Sequence, residues 1–168
     1  MLHSPHCADV HDPIDVARRR CIAVLVLGGL QACAKPPPAT PASVSGNLVA
    51  AATLNPSVTQ RPSPLRLRVY ELKSDTAFKQ ADFMALYQAD QATLGAELVA
   101  RDELTLQPGE SRVYARTLAA DTRFLGVLAA YRDLEHAVWR SVVAVMPGRS
   151  QQFHIHADTL AVTARVQP

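Results

Sequence analysis

From residue 46 onward apolar and polar residues alternate in short runs, each ended by turn-forming residues. Leu48, Ala50, Ala52 and Leu54 alternate with less apolar neighbours, and Leu65, Leu67 and Val69 alternate with Arg66, Arg68 and Tyr70. A period of two puts one set of side chains on one face of a pleated strand, so both runs predict half-buried strands. Residues 98–106 form a weaker candidate that stops at the turn dipeptide Pro108-Gly109, with 111–118 predicted as its hairpin partner. Residues 125–131 and 138–145 are the most apolar, with YRDLEH as the turn between them and Met146-Pro147-Gly148 closing the second. Residues 152–156 and 160–166 alternate again and predict a last hairpin.

One segment breaks this rhythm. In residues 74–88, SDTAFKQADFMALYQ, Ala77, Phe78, Ala81, Leu86 and Tyr87 fall at helical spacing, with Asp75 and Asp82 placed as N-caps of two short helices. It is predicted as a helical insertion. About seven to eight strands at hairpin spacing imply an all-β fold, an antiparallel β-sandwich, because a single open sheet would leave one face of these strands wet. The sandwich is assigned to residues 46–168.

The N-terminal region is organised differently. Residues 18–33 read RRRCIAVLVLGGLQAC, and the apolar run between Cys21 and Leu30 is too short for the roughly 20 residues a membrane span needs. A short apolar run behind positive charge is the pattern of a secretory signal, assigned to residues 1–32. Leu30, Gln31, Ala32 and Cys33 resemble a bacterial lipobox, in which a small residue precedes a cysteine whose thiol takes a diacylglyceryl group; Gln31 departs from the usual Ala, Ser or Thr. An ordinary secretory cleavage and a buried apolar segment are the alternatives. The first 15 or so residues are acidic and proline-containing, unlike a short basic n-region, which points to a start nearer Val16. Residues 33–45 are read as the lipidated cysteine and a proline-rich tether, extended at roughly 3 Å per residue. Ala34 follows the cysteine where an aspartate would favour the inner membrane, so the outer membrane is expected.

Composition narrows the chemistry. The 48% hydrophobic and 19% charged content fits one globular domain, and a net charge of +2 with dispersed basic residues excludes an obvious nucleic-acid surface. Cys7 and Cys21 lie in the leader and Cys33 carries the lipid, so the exported domain is expected to fold without a disulfide. His3, His6, Cys7 and His11 fall in that leader and are not read as a metal site. No nucleophile elbow, zinc-protease motif or phosphate-cradling glycine loop occurs. His154 and His156 share one strand face but supply two ligands at most, and are read as solvated. Asp102, Glu103, Asp133 and Glu135 are read as turn-associated carboxylates, and Trp139 as a core residue. No cofactor beyond covalent acyl chains on Cys33 is expected. The connection of Asn55, Pro56, Ser57, Val58, Thr59, Gln60, Arg61, Pro62, Ser63 and Pro64 is longer than an ordinary hairpin and stiffened by three prolines. Stiff loops on a rigid sheet lose little entropy on binding, so this one is a candidate recognition element as well as a plain surface loop.

The stretches TLNPS, RPSPLRLRVYELKS, FKQADFMALY, LVARDELTLQPGE and FLGVLAAYRDLEHAVWR, in this order behind a lipobox, resemble the TssJ-like outer-membrane lipoproteins of type VI secretion systems. The resemblance spans nearly all of residues 46–166. It implies a transthyretin-like β-sandwich with a helical insertion, lipid-anchored in the outer membrane and facing the periplasm. It also implies no enzymatic activity, no small-molecule substrate, and binding to the periplasmic C-terminal region of the inner-membrane component TssM. In that family the loop between the first two strands contacts TssM, which falls here on residues 55–64, with Gln60 and Arg61 the favoured contacts. Two rival readings are a hydrolase on the same fold, whose C-terminal motif the tail AVTARVQP lacks, and a generic periplasmic lipoprotein carrying a small ligand in an apolar pocket.

Overall fold

The computed structural model describes residues 41–167. The leader, Cys33 and most of the tether lie outside that range. Eight strands form two four-stranded sheets: β1 (Ser43–Ala50), β4 (Ser111–Thr117), β7 (Ser150–Ala157) and β8 (Val162–Gln167) in the order β4-β1-β7-β8, and β2 (Leu65–Leu72), β3 (Leu98–Leu106), β5 (Phe124–Ala129) and β6 (Arg140–Ala144) in the order β3-β2-β5-β6. The first strand begins at Ser43, so the sheet takes three residues that the sequence pattern gives to the tether.

Successive strands reverse direction, and this rule explains the one departure from an antiparallel sandwich. Because β1 and β7 are both odd-numbered and lie side by side, they pair in parallel, from Ser43 opposite Ser150 to Ala50 opposite Ala157. Every other neighbouring pair is antiparallel. The hairpins β5–β6 and β7–β8 form as predicted. The predicted β3–β4 hairpin does not: β3 pairs with β2 and β4 with β1, so the turn at Pro108-Gly109 carries the chain from one sheet to the other. Hydrogen bonds from Gly109 N to Ala51 O (3.1 Å) and Ala50 N to Glu110 O (2.8 Å) hold that turn against β1. Alternation of apolar residues specifies a buried face but not which sheet a strand joins.

The core between the sheets is filled by Val44, Leu48, Leu65, Leu67, Leu125, Val127, Phe153 and Ile155, all at most 2% exposed. At Gly46 the two central strands approach so closely that a Cβ would sit 1.9 Å from the Phe153 carbonyl oxygen. Side chains fill the space between the sheets, so a small ligand of the rival carrier reading would not lie there.

Two helices, α1 (Thr76–Gln80) and α2 (Phe83–Leu94), cover the outer face of the β2–β5 sheet. The insertion therefore extends past residue 88. Asp82 caps α2, its carboxylate accepting from Ala85 N at 2.8 Å, whereas Asp75 precedes α1 without capping it and instead pairs with Lys79 at 2.5 Å. This cover is why β2 is buried on both faces: Leu65, Leu67 and Val69 face the sandwich core, while Tyr70 and Leu72 face Phe78 and Leu86. Alternation with arginine predicted a half-buried strand, and Arg68 is the residue that breaks the rule. Its guanidinium lies under α2, donating from Nε to Glu103 (2.6 Å) and from Nη1 to Tyr87 O (2.8 Å), with the Tyr87 ring 4.8 Å away. Buried Asp90 accepts from Arg101 (2.5 Å), from the Tyr70 hydroxyl (3.3 Å) and from Gln91 N (2.8 Å). A buried charge persists only when partnered, and each of these is. Burial pushes the Asp90 carboxyl up, but the Arg101 hydrogen bond and charge outweigh it and leave it below the usual range. The hydrogen bond from Arg68 holds Glu103 low as well. Asp102 and Glu103 thus sit mid-strand in ion pairs, Asp102 with Arg116 at 3.1 Å, rather than beside a turn. Trp139, just before β6, is half-buried where the two apolar clusters meet.

Candidate functional site

Strand direction sorts the connections between two ends of the sandwich. The chain enters β1 at Ser43, whose N–H bonds to Arg149 O in the β6–β7 turn, and Leu118 N bonds to Ala42 O beside it. The connections leaving odd-numbered strands, β1–β2, β3–β4, β5–β6 and β7–β8, all fall at the opposite end. An eight-residue strand at about 3.3 Å per residue separates the two ends by roughly 26 Å.

At that far end the candidate loop is a closed, hydrogen-bonded structure. Ser63 N donates to Leu54 O (3.0 Å) at its base, and Ser57 N donates to Arg61 O (2.8 Å) nearer the tip. The Ser57 hydroxyl accepts from Thr59 N (3.3 Å) and Arg61 N (3.2 Å), and Gln60 N donates to Ser57 O (2.8 Å). Gln60 adopts the left-handed conformation, φ 60°, that so tight a turn demands. Pro56, Pro62 and Pro64 restrict the remaining backbone.

The predicted site residues divide by exposure. Val58, Thr59, Gln60, Arg61, Pro62 and Pro64 are exposed, Val58 completely, and Pro56 and Ser57 are half-buried. Asn55 and Ser63 turn inward, at 2% and 8% exposure, so neither offers a contact surface. Asn55 instead joins three connections. Its N–H donates to Thr159 O of the β7–β8 turn (3.0 Å), its Oδ1 accepts from Arg132 N of the β5–β6 connection (2.9 Å), and its Nδ2 donates to Pro64 O (2.8 Å). It does so at φ 48°, a conformation that asparagine tolerates better than most residues. The Tyr131 hydroxyl donates to Asp158 O (3.1 Å) and the Thr53 and Thr159 hydroxyls meet at 2.6 Å, closing the same end.

These three connections enclose a surface hollow of about 530 Å³ lined by Pro56, Val58 and Gln60 of the loop and by Arg132, Asp133 and Leu160 of the adjoining turns. Sequence reasoning missed the last three. The signal that finds them is strand direction, since β1, β5 and β7 run the same way, and a single sequence does not state which strands are parallel. Asp133 caps its own turn, accepting from His136 N (3.3 Å) and His136 Nδ1 (2.9 Å), and that histidine holds its carboxyl below the usual range. His154 and His156 lie on the outer face of the β1–β7 sheet, half-buried and exposed respectively, and among the described residues no third ligand joins them. No helix of the described residues is long and apolar enough to cross a membrane.

A rigid sandwich whose one end gathers a stiff loop and a shallow hollow defines an interaction module. Residues 42–160 match the family model for type VI secretion lipoproteins, described as VasD, EvfM, TssJ and VC_A0113, and the chain belongs to that family. The family is a structural component of the secretion machinery and not an enzyme. The chain is 46% identical to the type VI secretion lipoprotein TssJ1 from Pseudomonas aeruginosa, covering 78% of this chain and 98% of that one, with a TM-score of 0.71. It is 26% identical to Lip of Serratia marcescens, a membrane-bound component of the same system, covering 75% and 97%, TM-score 0.67. A chain of a type VI membrane complex matches at 26% identity, covering 75% and 98%, TM-score 0.62. No curated protein matches the chain.

Proposed function

We propose that this protein is anchored on the periplasmic face of the outer membrane by acyl chains on Cys33. There it joins the type VI membrane complex by binding the periplasmic region of a TssM-like inner-membrane protein through residues 55–64. The role is mechanical: lipid fixes one end, the tether of residues 33–42 sets the standoff, and the sandwich offers a stiff loop to a partner reaching from the other membrane. The observation that carries this reading is the opposition of the two ends. The chain arrives from the cysteine at the Ser43 end, and the loop sits about 26 Å away at the other. Family membership and the likeness to a chain of a type VI membrane complex support the choice of partner. Several acyl chains anchor far more firmly than one, whose binding is marginal.

The test is calorimetric titration of the full chain with the partner's periplasmic region, alongside a variant lacking Gln60, Arg61 and Pro62. The intact chain is expected to bind at about micromolar Kd or tighter, near −8 kcal/mol, and the shortened loop to bind more weakly while folding normally. Equal affinity of the two would refute the loop assignment. Membrane fractionation of Cys33→Ser addresses the anchor, and its persistence in the membrane pellet would remove the lipid claim.

A further inference from the structure

Charge at the far end of the sandwich is unevenly used. Arg66 and Arg112, at this end, lie within ion-pair distance of carboxylates, whereas Arg61 and Arg132, like Arg123, Arg140, Arg149 and Arg165 elsewhere, meet none among the described residues. The carboxylates nearby are already engaged. Asp133 is held by His136, Asp158 accepts from Thr159 N (2.8 Å), and Glu110 accepts from Gln107 N (2.6 Å) and faces Arg112. Glu135 of the β5–β6 turn has no partner and Asp158 no cation among the described residues, so this end carries carboxylates of its own, yet none of them meets Arg61 or Arg132.

Between those arginines the surface is apolar. Val58 stands fully exposed on a turn that four hydrogen bonds keep from collapsing, beside Pro56 and Leu160 on the wall of the hollow. Val138 follows on the same side, 58% exposed, its N–H bonded to Leu160 O at 2.8 Å. An apolar centre with a charged rim is the anatomy of a protein-binding patch. Asn55 fixes all three connections before any partner arrives, so little order remains to be imposed on binding.

We infer that the β1–β2 loop and the β5–β6 and β7–β8 turns form one composite docking surface. Its occupant is a segment of the partner bearing an apolar side chain flanked by carboxylates. The apolar group enters the hollow between Val58 and Leu160, and the carboxylates meet Arg61 and Arg132, whose forked donors suit a planar anion. This rests on the partner-binding reading above and extends it beyond the loop: the turns, and Arg132 in particular, carry affinity of their own.

The experiment uses the full chain, purified from membranes in detergent and titrated with the partner's periplasmic region at low and at high salt. The variants are Val58→Asp and Arg132→Glu, both exposed and with no contact that folding needs, and Arg149→Glu at the opposite end as the control. Expected are about tenfold or greater weakening for each of the first two, the equivalent of one good contact. Arg132→Glu should also flatten the salt dependence of association, and Arg149→Glu should leave affinity unchanged. Two outcomes overturn the inference while sparing the loop reading: affinity for Arg132→Glu within twofold of the unsubstituted chain, or an unaltered salt response, with the loop deletion still weakening binding. In that case the hollow serves another occupant. No binding by the unsubstituted chain overturns both.

Discussion

Replacing Asn55 separates two contributions that one residue makes to the far end of the sandwich. Asn55→Ala removes the acceptor for Arg132 N and the donor to Pro64 O, each worth about 1 kcal/mol net and more where the orphaned group stays dry. It also leaves a β-carbon at φ 48°, which costs roughly another 1 kcal/mol. The backbone bond to Thr159 O survives, so the expected loss is about 2–4 kcal/mol, a large part of the 5–15 kcal/mol by which domains are stable. Asn55→Gly loses the same two hydrogen bonds without the conformational penalty and should be about 1 kcal/mol less destabilised. Urea denaturation followed by the fluorescence of Trp139, the only tryptophan, measures both. An alanine variant within about 0.5 kcal/mol of the unsubstituted protein, below the range of a lost buried hydrogen bond, would refute the joining role. Equal losses for alanine and glycine would refute the conformational part.

Gly46→Ala places a Cβ 1.9 Å from the Phe153 carbonyl oxygen, a backbone clash that separates β1 from β7. The loss should exceed about 3 kcal/mol, and soluble expression at normal yield would contradict it. Gly126→Ala meets only the Phe78 ring at 3.0 Å and Leu72 Cδ1 at 3.1 Å, so about 1–3 kcal/mol is expected. Adding Phe78→Leu should recover part of that loss, and strict additivity would show that the helix is not what crowds the glycine. Asp90 and Glu103 hold their carboxyls below the values they take in an unfolded chain, about 3.9 and 4.3. The unfolded chain then binds more protons in the acid range, so stability is fully present above about pH 5 and falls as pH drops through the lower native values. Urea midpoints at pH 5 and pH 3 should differ, and by less in Arg101→Ala; identical midpoints would remove the ion pairs from the account.

Much of the fold was legible because it rests on local periodicity. Most strands, the two short helices behind Asp75 and Asp82, and the hairpins β5–β6 and β7–β8 follow from spacing and turn residues alone, but β1 runs from Ser43 to Ala50, so Ala52 and Leu54, read as strand, fall in the turn after it. Partnering between strands does not. Pro108-Gly109 marks a turn equally well whether the chain folds back on its own strand or crosses to the other sheet, and only the completed sandwich decides. Arg68 was misread for a related reason: an arginine in an alternating strand signals a wet face unless another element covers it with a carboxylate, here Glu103, and with the carbonyl of Tyr87. The loop was legible through its prolines and length, but the inward turn of Asn55 and Ser63 was not. Asparagine and serine in a proline-rich loop look like surface residues, and Asn55 is held inward by a turn more than 70 residues away in sequence, Ser63 by bonds to Leu54 and Arg61 within the loop's own closure.

The orientation of the docking surface follows from the number of the strand that the chain enters first. With strands that reverse at each step, every connection leaving an odd-numbered strand lies away from the entry point, so four of them gather at one end and the entry shares the other with β2–α1, β4–β5 and β6–β7. The entry point and the loop cluster therefore lie at opposite ends of the sandwich. Ten residues reach at most about 35 Å, and the strands add roughly 26 Å, so the hollow would stand up to about 6 nm from the headgroups. The tether sets how far the module reaches, while the sandwich fixes what it presents. This suits a site built to be stiff, because Ser57 and Asn55 hold the loop and the adjoining turn in place before any partner arrives.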